Sequence, residues 1–228
     1  MNILDARILL KRSTVAGTVP TIPASSSHTD GSWVNTDIYS GEVFLNTVDQ
    51  RIFVRTGANI KELQFNSHWV GQSYGGGVVF HTYRDANNIE HGLIVSIVDQ
   101  SSTSKYSNID NANIGASTLW DGQTNTNLMK AQTGATSGAW KHADDYSYGG
   151  FTDWYLPSLT ELSLLFTNRF NVYKTLSSIG GSAVLDDVFY WSSSEAGGNN
   201  AYGIDFGEGI QSSPTKAGLY SVRAIRQF

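Results

Sequence analysis

The sequence contains no cysteine. That absence excludes disulfide staples, thiolate nucleophiles and Cys-ligated zinc together, so a chain of 228 residues must draw its stability from packing and assembly. Charge is also scarce: 15% of residues are charged, with 15 Lys and Arg set against 20 Asp and Glu. The formal charge of −5 and the lack of any basic cluster argue against a nucleic-acid partner. No run approaches the ~20 consecutive apolar residues that a membrane-spanning helix needs, so no membrane insertion is expected. The opening "MNILDARILLKRST" lacks the shape of a secretory leader, because Asp5, Arg7, Lys11 and Arg12 break a short apolar run. The expectation is a protein made in the host cytoplasm that reaches the outside only as part of a particle.

What the chain does have is glycine (23 residues), aromatics (12%) and abundant Ser, Thr and Asn. That texture fits a β-rich surface protein better than a helical enzyme. Residues 1–65 read as short strands. Arg7–Ser13 alternates, "TVAGTVPTIPASSSHTDGS" is loop, and "GEVFLNTVDQRIFVRTG" reads as a hairpin turning near Val48, Asp49 and Gln50. Val43 and Leu45 share one face with Ile52 and Val54. A hairpin alone is marginal in water, so this piece is expected to be stabilised by further copies of itself.

From Asn66 the texture changes. "GVVFHTY" and "HGLIVSIVDQ" read as an antiparallel pair joined by the polar turn "DANNIE". Residues 101–127 read as a long surface loop carrying Tyr106 and Trp120. About two helices are expected. One is an interrupted stretch over Asn125–Tyr146. The other covers Ser158–Phe170, where Ser158 and Glu161 make a capping box, Pro157 precedes it, and Leu159, Leu162, Leu165 and Phe166 share a face. "VFYWSSSE", "AYGIDFG", "GIQSSPT" and "YSVRAIRQF" close the chain as short strands.

Four of these stretches, taken in order, carry a resemblance: "YGGGVVFHTYRDANNIEHGLIVSIVDQ", "DDYSYGGFTDWYLPSLTELSLLFTNR", "YWSSSEAGGNNAYGIDFGEGIQ" and "YSVRAIRQF". They resemble C-type-lectin-like domains found at the ends of bacterial surface proteins and phage fibres. The N-terminal "RILLKRSTVAGTVPT…GEVFLNTVDQRIFVRTG" is similar to a module of phage tail fibres and tropism determinants. Two departures stand out: Arg55, Thr56 and Gly57 replace the usual Asp-Gly, and Ala24–Tyr39 is longer than usual. The resemblance implies an α+β protein with a β-rich trimerisation and virion-attachment module at 1–65 and a C-type-lectin-like head at 66–228, built of antiparallel sheets with about two helices. It further implies a homotrimeric virion fibre, of tail or head, on the phage surface. The head would bind a host-surface glycan or protein, and the N-terminal module would bind other virion proteins. The alternative is a structural decoration or adaptor protein whose head contacts other virion subunits.

Each candidate residue has a plain structural reading beside the functional one. In "TDWYLPSLTEL", Trp154, Pro157, Ser158 and Glu161 read as core, corner and cap. Trp191 in "YWSSSE" reads as strand core, and the serines lack the adjacent base that a nucleophile requires. Asp205 and Glu208 are the pair a glycan-cleaving site would use. Asp110, Asn111, Asn113, Asp121, Asn125 and Asn127 supply oxygens of the kind calcium takes, but the same composition describes a solvated loop. The expectation is no catalysis, no cofactor and no metal. The candidate ligand-binding residues are Tyr106 and Trp120 in the long loop, with Asn199, Asn200, Tyr202 and Glu208 in "EAGGNNAYGIDFGEGIQSS". Tyr202 and Phe206 either offer rings to a ligand or, with Ile204, alternate inward as one strand face.

Overall fold

The computed structural model describes residues 11–23, 34, 36–48, 51–63 and 67–228. The chain divides into two compact units, 1–67 and 68–228. Asp49, Gln50 and residues 7–10, on which part of the expected hairpin turn and first strand fall, lie outside the described residues.

The first unit is a four-stranded sheet of β1 (Lys11–Ser13), β2 (Val43–Asn46), β3 (Arg51–Thr56) and β4 (Asn59–Leu63), paired in that order. β1 runs parallel to β2, and the other pairs are antiparallel. Val43 pairs with Val54 and Leu45 with Ile52, so these four do share a face. That face is only half-buried. The period of two puts Phe44 and Phe53 on the opposite face, where they meet edge to face at 6.2 Å beside buried Ile38. β4, which the sequence reading missed, returns through a turn at Gly57, whose φ of +63° suits glycine. Among the described residues three buried apolar side chains, Ile38, Phe44 and Phe53, make a thin core.

The second unit holds β5 (Ser73–Tyr74), β6 (Gly77–Arg84), β7 (Glu90–Ser96) and β8 (Ser101–Ser104). Then come α1 (Gly122–Ala131), α2 (Ala139–Asp144), α3 (Leu159–Thr167) and α4 (Arg169–Leu176). β9 (Phe189–Glu195), β10 (Ala201–Asp205), β11 (Gln211–Ser212), β12 (Tyr220–Val222) and β13 (Ile225–Gln227) follow. One sheet has the order β13-β7-β6-β5 and the other β11-β10-β9-β12-β8.

The apolar runs of β6 and β7 follow from burial on both sides of their sheet. Val78, Phe80, Leu93 and Val95 pack with Leu162 and Leu165 of α3 and Val172 and Leu176 of α4. Val79 and Ile94 belong to the second core, with Trp140, Trp154 and Trp191. Gly77 allows the close pairing, because a Cβ there would lie 2.1 Å from the Val95 carbonyl oxygen.

Three expectations change. The described residues hold four helices rather than about two: Asn125–Tyr146 divides into α1 and α2, and α4 follows α3 after a break at Asn168. Only Val172 and Leu176 of α4 turn inward, which leaves little apolar period to read. The sheets are not wholly antiparallel, since β12 runs parallel to β9. Residues 101–127 are not a free surface loop, because they supply β8, the buried Tyr106 and the start of α1.

Candidate binding surface

The site is built outward from β9. As an inner strand between β10 and β12, "YWSSSE" is buried from Tyr190 to Glu195. Trp191 donates its indole N–H to the Ser104 carbonyl at 2.8 Å and packs against Tyr106 and Tyr220. The serine hydroxyls are engaged: Ser192 donates to the Tyr202 carbonyl at 2.8 Å and Ser194 to the Thr118 carbonyl at 2.7 Å. Ser193 accepts from the Asn125 side-chain amide at 3.3 Å.

Glu195 ends β9 and gathers the neighbouring loops. Its carboxylate accepts backbone N–H groups of Ile114 and Ala116, each at 3.1 Å, and meets the ammonium of Lys216. Lys216 also donates to the Ala112 carbonyl at 2.7 Å and stands 5.4 Å from the centre of the Tyr106 ring. The backbone N–H of Lys216 donates to the Asn199 carbonyl. One buried ion pair therefore pins three segments: the 107–116 loop, the 196–200 turn and the 214–218 turn. Thr118 and Asn125 extend this network to the turn that carries Trp120.

Of the predicted ligand-binding residues, Trp120 is 73% exposed, and Asn199 is exposed on the 196–200 turn. Asn200 is half-buried and donates its side-chain amide to the Ser213 carbonyl at 2.6 Å. Tyr202 is half-buried, while Ile204 and Phe206 face the core.

One candidate requires correction. Tyr106 is fully buried: its hydroxyl donates to the Ser193 carbonyl at 2.7 Å, and burial beside the Glu195 charge pushes its pKa well above that of an ordinary tyrosine. It is a pillar under the loops and offers no ring to a ligand. Glu208 is exposed, as expected, and β10 lies between it and Asn199 and Asn200. Five residues of strand span roughly 16 Å, so the two sit at opposite ends.

The structural motif residues take the places their types dictate. Trp154 is buried, with its indole N–H on the Phe151 carbonyl. Buried Pro157 precedes a complete capping box: the Ser158 hydroxyl accepts the Glu161 N–H, and Glu161 accepts the Ser158 N–H at 2.7 Å. Glu161 does more than a cap requires, since it also accepts the Gly122 N–H at 3.0 Å and the Tyr155 hydroxyl at 2.8 Å. It thereby ties the start of α1 to the start of α3. Burial holds its carboxyl above the usual carboxylate value despite these donors.

Most of the oxygens considered for calcium are drawn on by the protein itself. Asp121 caps α1 through the Thr124 N–H, Asn125 accepts the Thr118 N–H, and Asn113 accepts the Gly115 N–H. Among the described residues no three His, Asp or Glu side chains converge as a metal site would need. Asp205 accepts the backbone N–H groups of Gly207 and Glu208, a turn geometry. No helix among the described residues is long and apolar enough to cross a membrane.

No protein-family model matches the sequence, and no curated protein matches it. Among solved structures, a fimbrial protein from Bacteroides ovatus has a similar fold. The match has a TM-score of 0.55 at 15% identity and covers 95% of this chain and 68% of that one. The architecture is therefore α+β, of a kind found in a bacterial fimbrial protein.

Proposed function

We propose that this protein is a non-enzymatic phage virion fibre, of tail or head. In this reading residues 68–228 form a C-type-lectin-like head that binds a host-surface glycan or protein. The observation that carries it is the set of three loops joined at the buried Glu195–Lys216 pair, together with the exposed Trp120 and Asn199. A preorganised, shallow and polar surface with one large exposed ring suits recognition, since little conformational entropy is lost on binding. The fimbrial fold neighbour supports a role on a surface filament. The thin core of the first unit, with exposed Val15, Val34 and Val48, supports self-association there into a trimer and contact with other virion proteins. Three linked heads raise a weak single-site affinity by avidity.

The same exposed side chains are the observation in favour of the second reading, a decoration or adaptor that contacts only virion subunits. Particles assembled with Trp120→Ala/Asn199→Ala protein separate the two. The fibre reading expects normal particle numbers with reduced adsorption to host cells. Failed incorporation of the variant with unchanged adsorption by any particles that form favours the adaptor.

A further inference from the structure

A second concave surface lies at the Glu208 end of β10, away from the loop face. It is a groove of about 530 Å³ between α4 and residues 184–187, with Phe206 at its base. Its size falls within the range of pockets that take small ligands. Phe170 and Tyr173, three residues apart, present rings that are 68% and 48% exposed, while Val172 and Leu176 anchor the helix inward. The opposite wall carries the exposed carboxylates of Asp186 and Asp187, and neither accepts a hydrogen bond from any described residue.

That wall is rigid. The Asp186 N–H donates to the Tyr190 hydroxyl at 3.0 Å, and Tyr190 donates to Asp99 at 3.0 Å. Asp99 pairs with buried Arg223 at 2.8 Å, and Arg223 donates to the Ala183 carbonyl at 2.7 Å. Arg169 at the rim is held too, 3.8 Å over the Phe166 ring and donating to the Phe166 carbonyl.

We propose that this groove binds an uncharged pyranose of a surface glycan, with its C–H face on Tyr173 and Phe170 and its hydroxyls donating to Asp186 and Asp187. The match is chemical. A sugar ring has one apolar face and a rim of donors, and the groove offers two exposed rings and two carboxylates that accept no hydrogen bond from the described residues. Hydroxyl-to-carboxylate bonds are about twice as strong as neutral ones. Asp186, Asp187 and the nearby Glu208 outnumber the cations of Arg169 at the rim and Lys174 over the Phe170 ring, which disfavours acidic sugars. The inference rests on reading the head as a surface-binding module and gives that module a second, separate site.

The test is a glycan array probed with the full-length protein, carrying neutral and acidic oligosaccharides and a lysine-rich peptide, with adsorption to bacterial cells measured in parallel. Asp186→Asn, Asp187→Asn, Tyr173→Ala and Trp120→Ala proteins are compared. All four positions are exposed, and matching unfolding curves establish that each variant is folded. The expected result is binding to neutral glycans that falls about tenfold or more in Asp186→Asn and Asp187→Asn, as loss of a charge-assisted bond implies, falls also in Tyr173→Ala through loss of the stacking ring, and persists in Trp120→Ala. Preference for acidic glycans or for the lysine-rich peptide overturns the inference. So does glycan binding lost only in Trp120→Ala, which leaves the loop-face reading standing. Cell adsorption without any glycan binding overturns the groove assignment alone, whereas absence of both overturns the surface-binding reading as well.

Discussion

The carboxylate of Glu195 and the ammonium of Lys216 pair where each side chain is 1% exposed, at the junction of three loops. Taking two charges out of water is expensive, and the Ile114, Ala116 and Ala112 backbone groups offset part of it. Breaking such a pair from one side strands the other charge. Glu195→Ala and Lys216→Ala are each expected to destabilise the protein by about 3–5 kcal/mol. The double variant Glu195→Ala/Lys216→Ala should lose clearly less than the sum of the two single losses, as measured by denaturant midpoints. Additive losses would show that the two side chains do not act as a pair.

Glu161 sets a pH dependence. Its carboxyl, raised above 4.5 by burial, binds its proton more tightly in the folded chain than in the unfolded one. Stability from this group is therefore greatest below pH 4.5 and falls as pH rises through the folded value. In Glu161→Gln the amide oxygen still accepts the Ser158 and Gly122 N–H groups, and the Tyr155 hydroxyl turns to accept from the amide. Thermal midpoints from pH 4 to 8 should show a flatter alkaline-side decline in this variant. An unchanged decline contradicts the assignment.

Asp153 acts in the opposite sense. Its two-point bond to Arg226, at 2.7 and 2.8 Å, holds its carboxyl below the ordinary 3.8. That stabilisation is present above pH 3.8 and is lost as pH falls through the folded value. Asp153→Asn should lower the midpoint at pH 7 and narrow its gap to the unsubstituted protein below pH 3. A gap that is constant with pH would point to packing instead of charge.

The two units differ in the core they bury. A chain beginning at His68 retains both large hydrophobic clusters and is expected to remain folded. Light scattering should give the full chain three times its 24.8 kDa, about 74 kDa, and the shortened chain the mass of one copy. Equal association in both would move the assembly interface to the head.

Local signals carried much of the architecture. The S-x-x-E spacing marked the start of α3 to the residue, because a capping box is closed by groups three residues apart. The β6–β7 pair was legible from its apolar runs and polar turn. Tyr106 misled because it stands in a polar stretch, and its burial comes from residues distant in sequence, Trp191, Ser193 and Lys216 among them. The strand read at "AYGIDFG" already set Asn199 and Glu208 beyond its two ends, and β10 matches it. The groove was not legible, because Tyr173 lies on a weakly amphipathic helix and only the fold sets Asp186 and Asp187 opposite its ring.

The most direct test of the central claim is the adsorption of purified full-length protein to a panel of bacterial cells, beside the Trp120→Ala/Asn199→Ala protein. The account predicts saturable binding to some strains and clear weakening in the variant, with folding and mass unchanged. Identical binding by both proteins, or none to any strain, would contradict recognition through the loop face.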